Sequence, residues 1–317
     1  MIVRFPWPLL ILCTLAMIPL SGCGAGTLPS PHGYVLARYE ADVLAALPSD
    51  DPLYEAFDRD IMADPVIAHL LSLSDGTSGG FAATNLISPS PQTLSNHLVV
   101  VVGAHRNRLL TDINVQSGGR TVEIEHAVAV AIEGDANLAA VRGDFRELLA
   151  LFLLAVTGHD PPAGLDDASS NCTCVTEQQA FWNGYALFQR DRDALGIETG
   201  PVSVLDANEW DCCQTWSRFR GSSDDCFCAQ GVAGFLAELT VTTPTSYPQR
   251  YMLWFANYEP GETRDAKLLL ASARMSRDDD AGLASFVTSY ADTFPGEADL
   301  VRDIAKTWRM RMANADR

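Results

Sequence analysis

Four groups of side chains in this sequence are of types and spacings that could do chemistry. Glu147 stands inside a long apolar segment, with Arg146 before it and Ala150 one helical turn after Arg146. A carboxylate in that setting is either a general base or a buried acid with a partner. Val122-Glu123-Ile124-Glu125-His126 sets an acid, Glu123, near an imidazole. That segment alternates strictly and reads as a strand, where positions four apart do not converge as they do on a helix. Gly76-Thr77-Ser78-Gly79-Gly80 is a literal G-x-S-x-G. A nucleophile elbow needs a strand before the serine and a helix after it. Here a helical pattern precedes Ser78 and a proline-rich loop follows, so the stretch reads as a flexible glycine loop. The fourth group is six cysteines in three doublets: Cys172/Cys174, Cys212/Cys213 and Cys226/Cys228. None has the C-x-x-C spacing of a zinc knuckle. Asp278-Asp279-Asp280 reads as a helix cap, since adjacent aspartates point apart and make a poor calcium site.

The elements that must position these groups follow from periodicity. Leu138, Val141, Phe145, Leu148, Leu149, Phe152 and Val156 recur at steps of three and four. With Leu151, Leu153 and Leu154 filling other sides, they predict a helix buried nearly all round. A second helix is predicted from Glu177 to Arg190. Ahead of them, His97–Val102, Leu110–Gln116 and Thr121–Ile132 read as three strands, the last two joined by a turn at Ser117-Gly118-Gly119-Arg120. Val122, Ile124, His126, Val128, Val130 and Ile132 are expected on one face. Tyr34–Leu47 reads as a helix, with Val35, Tyr39, Val43 and Leu47 four apart. Asp51-Pro52 caps another. The last third of the chain is mainly helical by the same criteria.

The first residues give an address. One basic residue, Arg4, precedes the apolar run Leu9–Ile18, which is too short for a permanent membrane span. The run ends Leu20-Ser21-Gly22-Cys23, which resembles the lipobox of bacterial lipoproteins. The resemblance implies cleavage before Cys23, and acylation of its thiol (palmitate among the chains) and of its new amino terminus. Gly24, in place of an inner-membrane-retaining aspartate, implies the outer membrane. Removing 22 residues from 317 leaves 295, with 40 acidic residues against 21 basic. So acidic a surface repels phosphate backbones and excludes nucleic acid as an expected partner. In an exported chain the six cysteines are expected to form three disulfides, a stapled flap over residues 172–228.

A second resemblance covers Val99 to Phe188. Strands, a buried helix and then a helix with an aromatic-x-E-G-x-A pattern form the plan of gluzincin (peptidase MA-like) metallopeptidases. Their first helix carries H-E-x-x-H, two zinc-binding histidines around a water-activating glutamate. Phe181-Trp182-Asn183-Gly184-Tyr185-Ala186 looks like the second pattern, with Asn183 in place of the ligand glutamate. Arg146-Glu147-Leu148-Leu149-Ala150 looks like the first, keeping Glu147 and losing both histidines. What it implies is a degenerate scaffold with no zinc, no other cofactor and no catalytic residue. The rival reading is a zinc hydrolase with Glu147 or Glu123 as general base.

The expected architecture is α+β and mainly helical. A small antiparallel sheet of about three strands packs on the central helix, with a disulfide-rich excursion and a helical C-terminal part. Residues 1–22 are the signal peptide, 23–33 a tether and 34–317 one globular domain. Within that domain, 34–196 holds the sheet and central helices, and 197–317 the cysteine-rich flap and C-terminal helices. The expected function is a non-catalytic binding or envelope-associated lipoprotein, with the membrane as one partner and an envelope protein or peptide as another.

Overall fold

The structure is a computed structural model that describes residues 32–74, 98–132, 138–156, 160–162, 165, 175–191, 229–242, 260–275 and 282–307. Its first half is a closed barrel of five strands in the order β1-β2-β4-β5-β3. β1 is Tyr34–Glu40, β2 Val43–Ala46, β3 Leu98–Val102, β4 Arg108–Ser117 and β5 Arg120–Val130. β1 and β2 form one antiparallel hairpin, and β4 and β5 another. β3 lies parallel to both β1 and β5, and the ring closes where Ala45 of β2 meets Gln116 of β4.

The barrel corrects the expected three-stranded antiparallel sheet. The two added strands occupy the stretch read as a helix. Val35, Tyr39, Val43 and Leu47 are indeed four apart, but Tyr34, Val35, Leu36 and Ala37 are buried in succession. A continuous apolar run of that kind marks a strand covered on both faces. Ala41, at φ 56°, then reverses the chain in a two-residue loop between Glu40 and Val43. Such hairpin loops need a left-handed residue and usually recruit glycine for it.

The barrel interior is one cluster: Val35, Ala37, Leu44, Val99, Val101, Leu110, Val115, Ile124, Ala127 and Ala129. Alternate residues of the same strands, among them Leu36, Val100, Val128 and Val130, point outward into a second cluster shared with the helices. β5 therefore does not keep one apolar face. Val122 and Ile124 face the interior, and further along the strand that role passes to Ala127 and Ala129. The cause is Asp112, in the left-handed region at φ 51°. It interrupts the ladder between the pairs Thr111–His126 and Ile113–Ile124, and the two strands exchange faces there together.

Eight α-helices cover the outward side among the described residues. α1 is Pro52–Phe57 and α2 Pro65–Ser74; α3 is Arg142–Val156 and α4 Glu177–Arg190. α5 is Ala229–Thr242, α6 Pro260–Ala273, α7 Leu283–Thr293 and α8 Ala298–Thr307. Asp51 caps α1 by accepting from the Leu53 amide, with Pro52 in the first turn. A π-helical turn, Asp58–Met62, extends it. Tyr54 of α1 accepts from the β1 amide of Leu36 at 2.9 Å, pinning helix to barrel. A capping box of Thr176 and Gln179 opens α4. α3 and α4 are the centre of the layer, and Phe145, Leu149, Leu153, Tyr185 and Phe188 are wholly buried there.

The expected disulfide-rich excursion has no counterpart among the described residues. Cys172, Cys174, Cys212, Cys213, Cys226 and Cys228, which were expected to pair as three bridges, all lie outside the described residues. Where α4 meets α5, the described layer is joined by apolar packing instead: Phe181, Tyr185, Val232 and Phe235 belong to one buried cluster. Cys23, Ser78, His97, His159 and Asp278–Asp280 also lie outside the described residues.

Candidate functional site

The helix pair α3–α4 holds every position of the degenerate metallopeptidase frame. The N-terminus of α3 meets the C-terminus of α4. Arg146 Nη1 donates to the Arg190 carbonyl at 3.3 Å, and Glu147 lies 3.5 Å from the Arg190 guanidinium. The helices therefore run antiparallel. Ala150 lies one turn along α3 from Arg146, and Asn183 lies two turns back along α4 from Arg190, on the same stripe. Gly143 also meets the Arg190 side chain, so the same count sets Asn183 level with the turn from Ala150 to Leu154. Ala150 and Asn183 are both buried in the packed seam.

Beside its contact with α4, the Arg146 guanidinium binds Asp64. Its Nε donates to Asp64 Oδ1 at 3.0 Å and its Nη2 to Asp64 Oδ2 at 2.6 Å. This is a bidentate pair between groups that are both under a tenth exposed. Asp64 also caps α2, accepting from the amides of Val66 and Ile67. Arg142 donates to the Asp60 carbonyl beside it. One carboxylate thus joins the start of α2 to the start of α3 across 82 residues of sequence. Asp64 was not singled out from the sequence, yet Asp64-Pro65 repeats the cap-then-proline signal of Asp51-Pro52.

Glu147 is largely buried, and that burial pushes its carboxyl above the usual range, against the opposing pull of Arg190. Arg190 in turn binds Asp191 through two hydrogen bonds. Asn183 Oδ1 is buried and has no hydrogen-bond partner among the described residues. The alternative pair lies on the barrel. Glu123 is exposed on β5 opposite Asn114, while His126 is buried opposite Thr111 and its proton affinity is lowered by that burial.

These residues do not fit zinc. A guanidinium offers no lone pair, alanine offers no donor, and Asn183 has only a neutral carbonyl. Among the described residues no group of three or more histidine, cysteine or acidic side chains converges as a metal site.

A different concavity lies at one end of the barrel. It has a volume of about 480 Å³ and is walled by the β1–β2 turn and the β3–β4 loop, with Tyr39, Ala41, Gly103, His105, Arg106 and Arg108 on its surface. The signal for it in the sequence is His105-Arg106-Asn107-Arg108, a basic stretch in an acidic chain. Comparison with protein-family models, with curated proteins and with solved structures gives no match.

Proposed function

We propose that the protein is a lipid-anchored component of the bacterial cell envelope, held on the outer membrane through Cys23, and that it works by binding a partner. The observation that carries the non-catalytic part is the Arg146–Asp64 clamp. At the position where the metallopeptidase resemblance needs a first zinc ligand, the side chain is committed to holding two helices together. The anchoring part is supported by the lipobox-like Leu20-Ser21-Gly22-Cys23. Among the described residues no helix is long and apolar enough to cross a membrane.

Cys23→Ala should move the full chain from the membrane fraction to the soluble fraction. Continued firm attachment of that variant overturns the lipid anchor. One observation favours the rival hydrolase, the raised proton affinity of Glu147, which suits a general base. Metal analysis of the purified full chain separates the two. The rival requires about one zinc per chain and the binding role none.

A further inference from the structure

The cavity at the barrel end is assigned no role by the reading above, and the geometry points to it as a binding site for a small anion that carries an apolar body. The inference rests on the protein being a binder and names what it binds. Its volume, about 480 Å³, lies within the range of small-molecule sites. The full chain carries 40 acidic and 22 basic residues, so its general surface repels anions. His105, Arg106 and Arg108 nevertheless line this one cavity together. Glu40 and Asp42, the acids of the adjoining turn, are not on its wall. Two arginines suit an oxyanion because a guanidinium presents paired N–H donors to two oxygens at once.

The part of the wall from the β1–β2 turn is apolar. Tyr39 is half exposed there, one of only two large hydrophobic side chains so placed among the described residues. Ala41 adds a methyl group beside it. A ring on the ligand could stack on Tyr39 while its charged group meets the arginines.

The rim is held in place before any ligand arrives. Asn107, between the two arginines, accepts from the Ala131 amide and donates to Asp144 of α3, each at 2.7 Å. The Ala104 amide bonds the Val130 carbonyl. The loop bearing the cations is thereby fixed both to the end of β5 and to the start of α3, which lowers the ordering cost of binding. The cavity also lies at the far end of β1 from the tether, about 20 Å along a seven-residue strand. An anchor at Cys23 would leave it accessible.

The test uses the full chain carrying Cys23→Ala, with the six histidine imidazole resonances followed by NMR. Phenyl phosphate should shift the His105 signals saturably, and inorganic phosphate should do so about tenfold more weakly, as loss of the ring contact implies. Arg106→Gln with Arg108→Gln should weaken phenyl phosphate by about tenfold or more. Tyr39→Ala should abolish the preference for phenyl phosphate over phosphate. Sedimentation with phosphatidylglycerol vesicles then separates the sources. Arginine-dependent binding to vesicles assigns the anion to a lipid headgroup, and phenyl phosphate binding without vesicle binding assigns it to a free solute. Absence of saturable shifts at about 10 mM, weaker than any useful site, or shifts indifferent to both arginines, overturns the proposal. Neither result alters the zinc or membrane-fraction outcomes that decide the broader reading.

Discussion

In the barrel the costly features are in the backbone, and in the helical layer they are in the charges. Every described residue with positive φ belongs to the barrel strands or their turns and flanks: Gly33, Ala41, Gly103, Asp112, Gly118 and Gly119. The barrel interior meanwhile is filled by valines, alanines, leucines and Ile124. Five buried charged residues, Asp64, Arg146, Asp265, Lys267 and Glu297, lie instead among the helices. Each has a partner. Arg146 holds Asp64, and His69 meets Asp265 at 2.5 Å. Lys267 reaches Glu297 at 2.7 Å, and Tyr290 donates to the other oxygen of the same carboxylate. The contrast follows from how each half is closed. Strands bond one another through their backbones and need only sharp turns to bring them round. Helices satisfy their own backbones, so side chains must fix how they sit together, and a buried ionic contact does that with direction.

The largest expected effect tests that account. Arg146→Met removes the clamp and leaves buried Asp64 with only its longer contact to Arg142, at 3.8 Å, which should cost about 3–5 kcal/mol. The urea midpoint reads it. A loss under about 1 kcal/mol, typical of an exposed pair, would show that packing alone sets the register of α2 on α3.

Next is Gly184→Ala, in the seam of α4 with α5. A Cβ there would stand 2.5 Å from Val232 Cβ and 2.8 Å from the Ala229 carbonyl oxygen. Because one of those atoms is backbone, the helices must separate, at a cost of about 1–3 kcal/mol. Thermal unfolding checks it. A neutral result would mean that the helical layer tolerates spacing errors that its ionic contacts were thought to forbid.

In the barrel the sign should reverse. Ala41→Gly relieves a left-handed alanine and should stabilise by up to about 1 kcal/mol, the steric gain being partly offset by the unfolded-state freedom of glycine. Destabilisation would mean that the methyl group contributes more by contact than the backbone loses by strain.

The smallest effect is at Glu147. Burial raises its proton affinity in the folded chain above that in the unfolded one. Its contribution to stability is therefore full below the ordinary glutamate range and is lost as pH rises through the native value. Glu147→Gln should remove that pH-dependent decline and leave stability at neutral pH unchanged or slightly higher. Melting curves from about pH 4 to pH 8 show the difference in slope. A marked loss at neutral pH would mean that its contact with Arg190 outweighs the burial.

The same contrast explains what could be read from the sequence. Helices α3 and α4 lie where the three-and-four spacing of apolar residues puts them, because that period is local. The Gly118-Gly119 turn was legible for the same reason. β1 and β2 were not. A strand buried on both faces carries no alternation, and Ala41-Asp42 lacks the glycine that usually announces a hairpin. The exchange of faces at Asp112 was hidden too, since the letters of β5 keep alternating while its surroundings change. The frame of Arg146, Glu147, Ala150 and Asn183 could be placed on two helices. What Arg146 does there depends on Asp64, 82 positions away, and no local pattern reports such a pairing.

One further consequence belongs to the ring of strands. An open sheet presents unpaired amides and carbonyls at its rims, and any extended peptide can extend it. Here each strand has a neighbour on both sides, so wherever the strands are paired the backbone of this barrel offers no template to another chain. Among the described residues, another chain would meet the paired stretches of these strands only through side chains. The exception is at the closure. β2 and β4 are joined at a single residue pair, Ala45–Gln116, and there the hoop would come unlatched first.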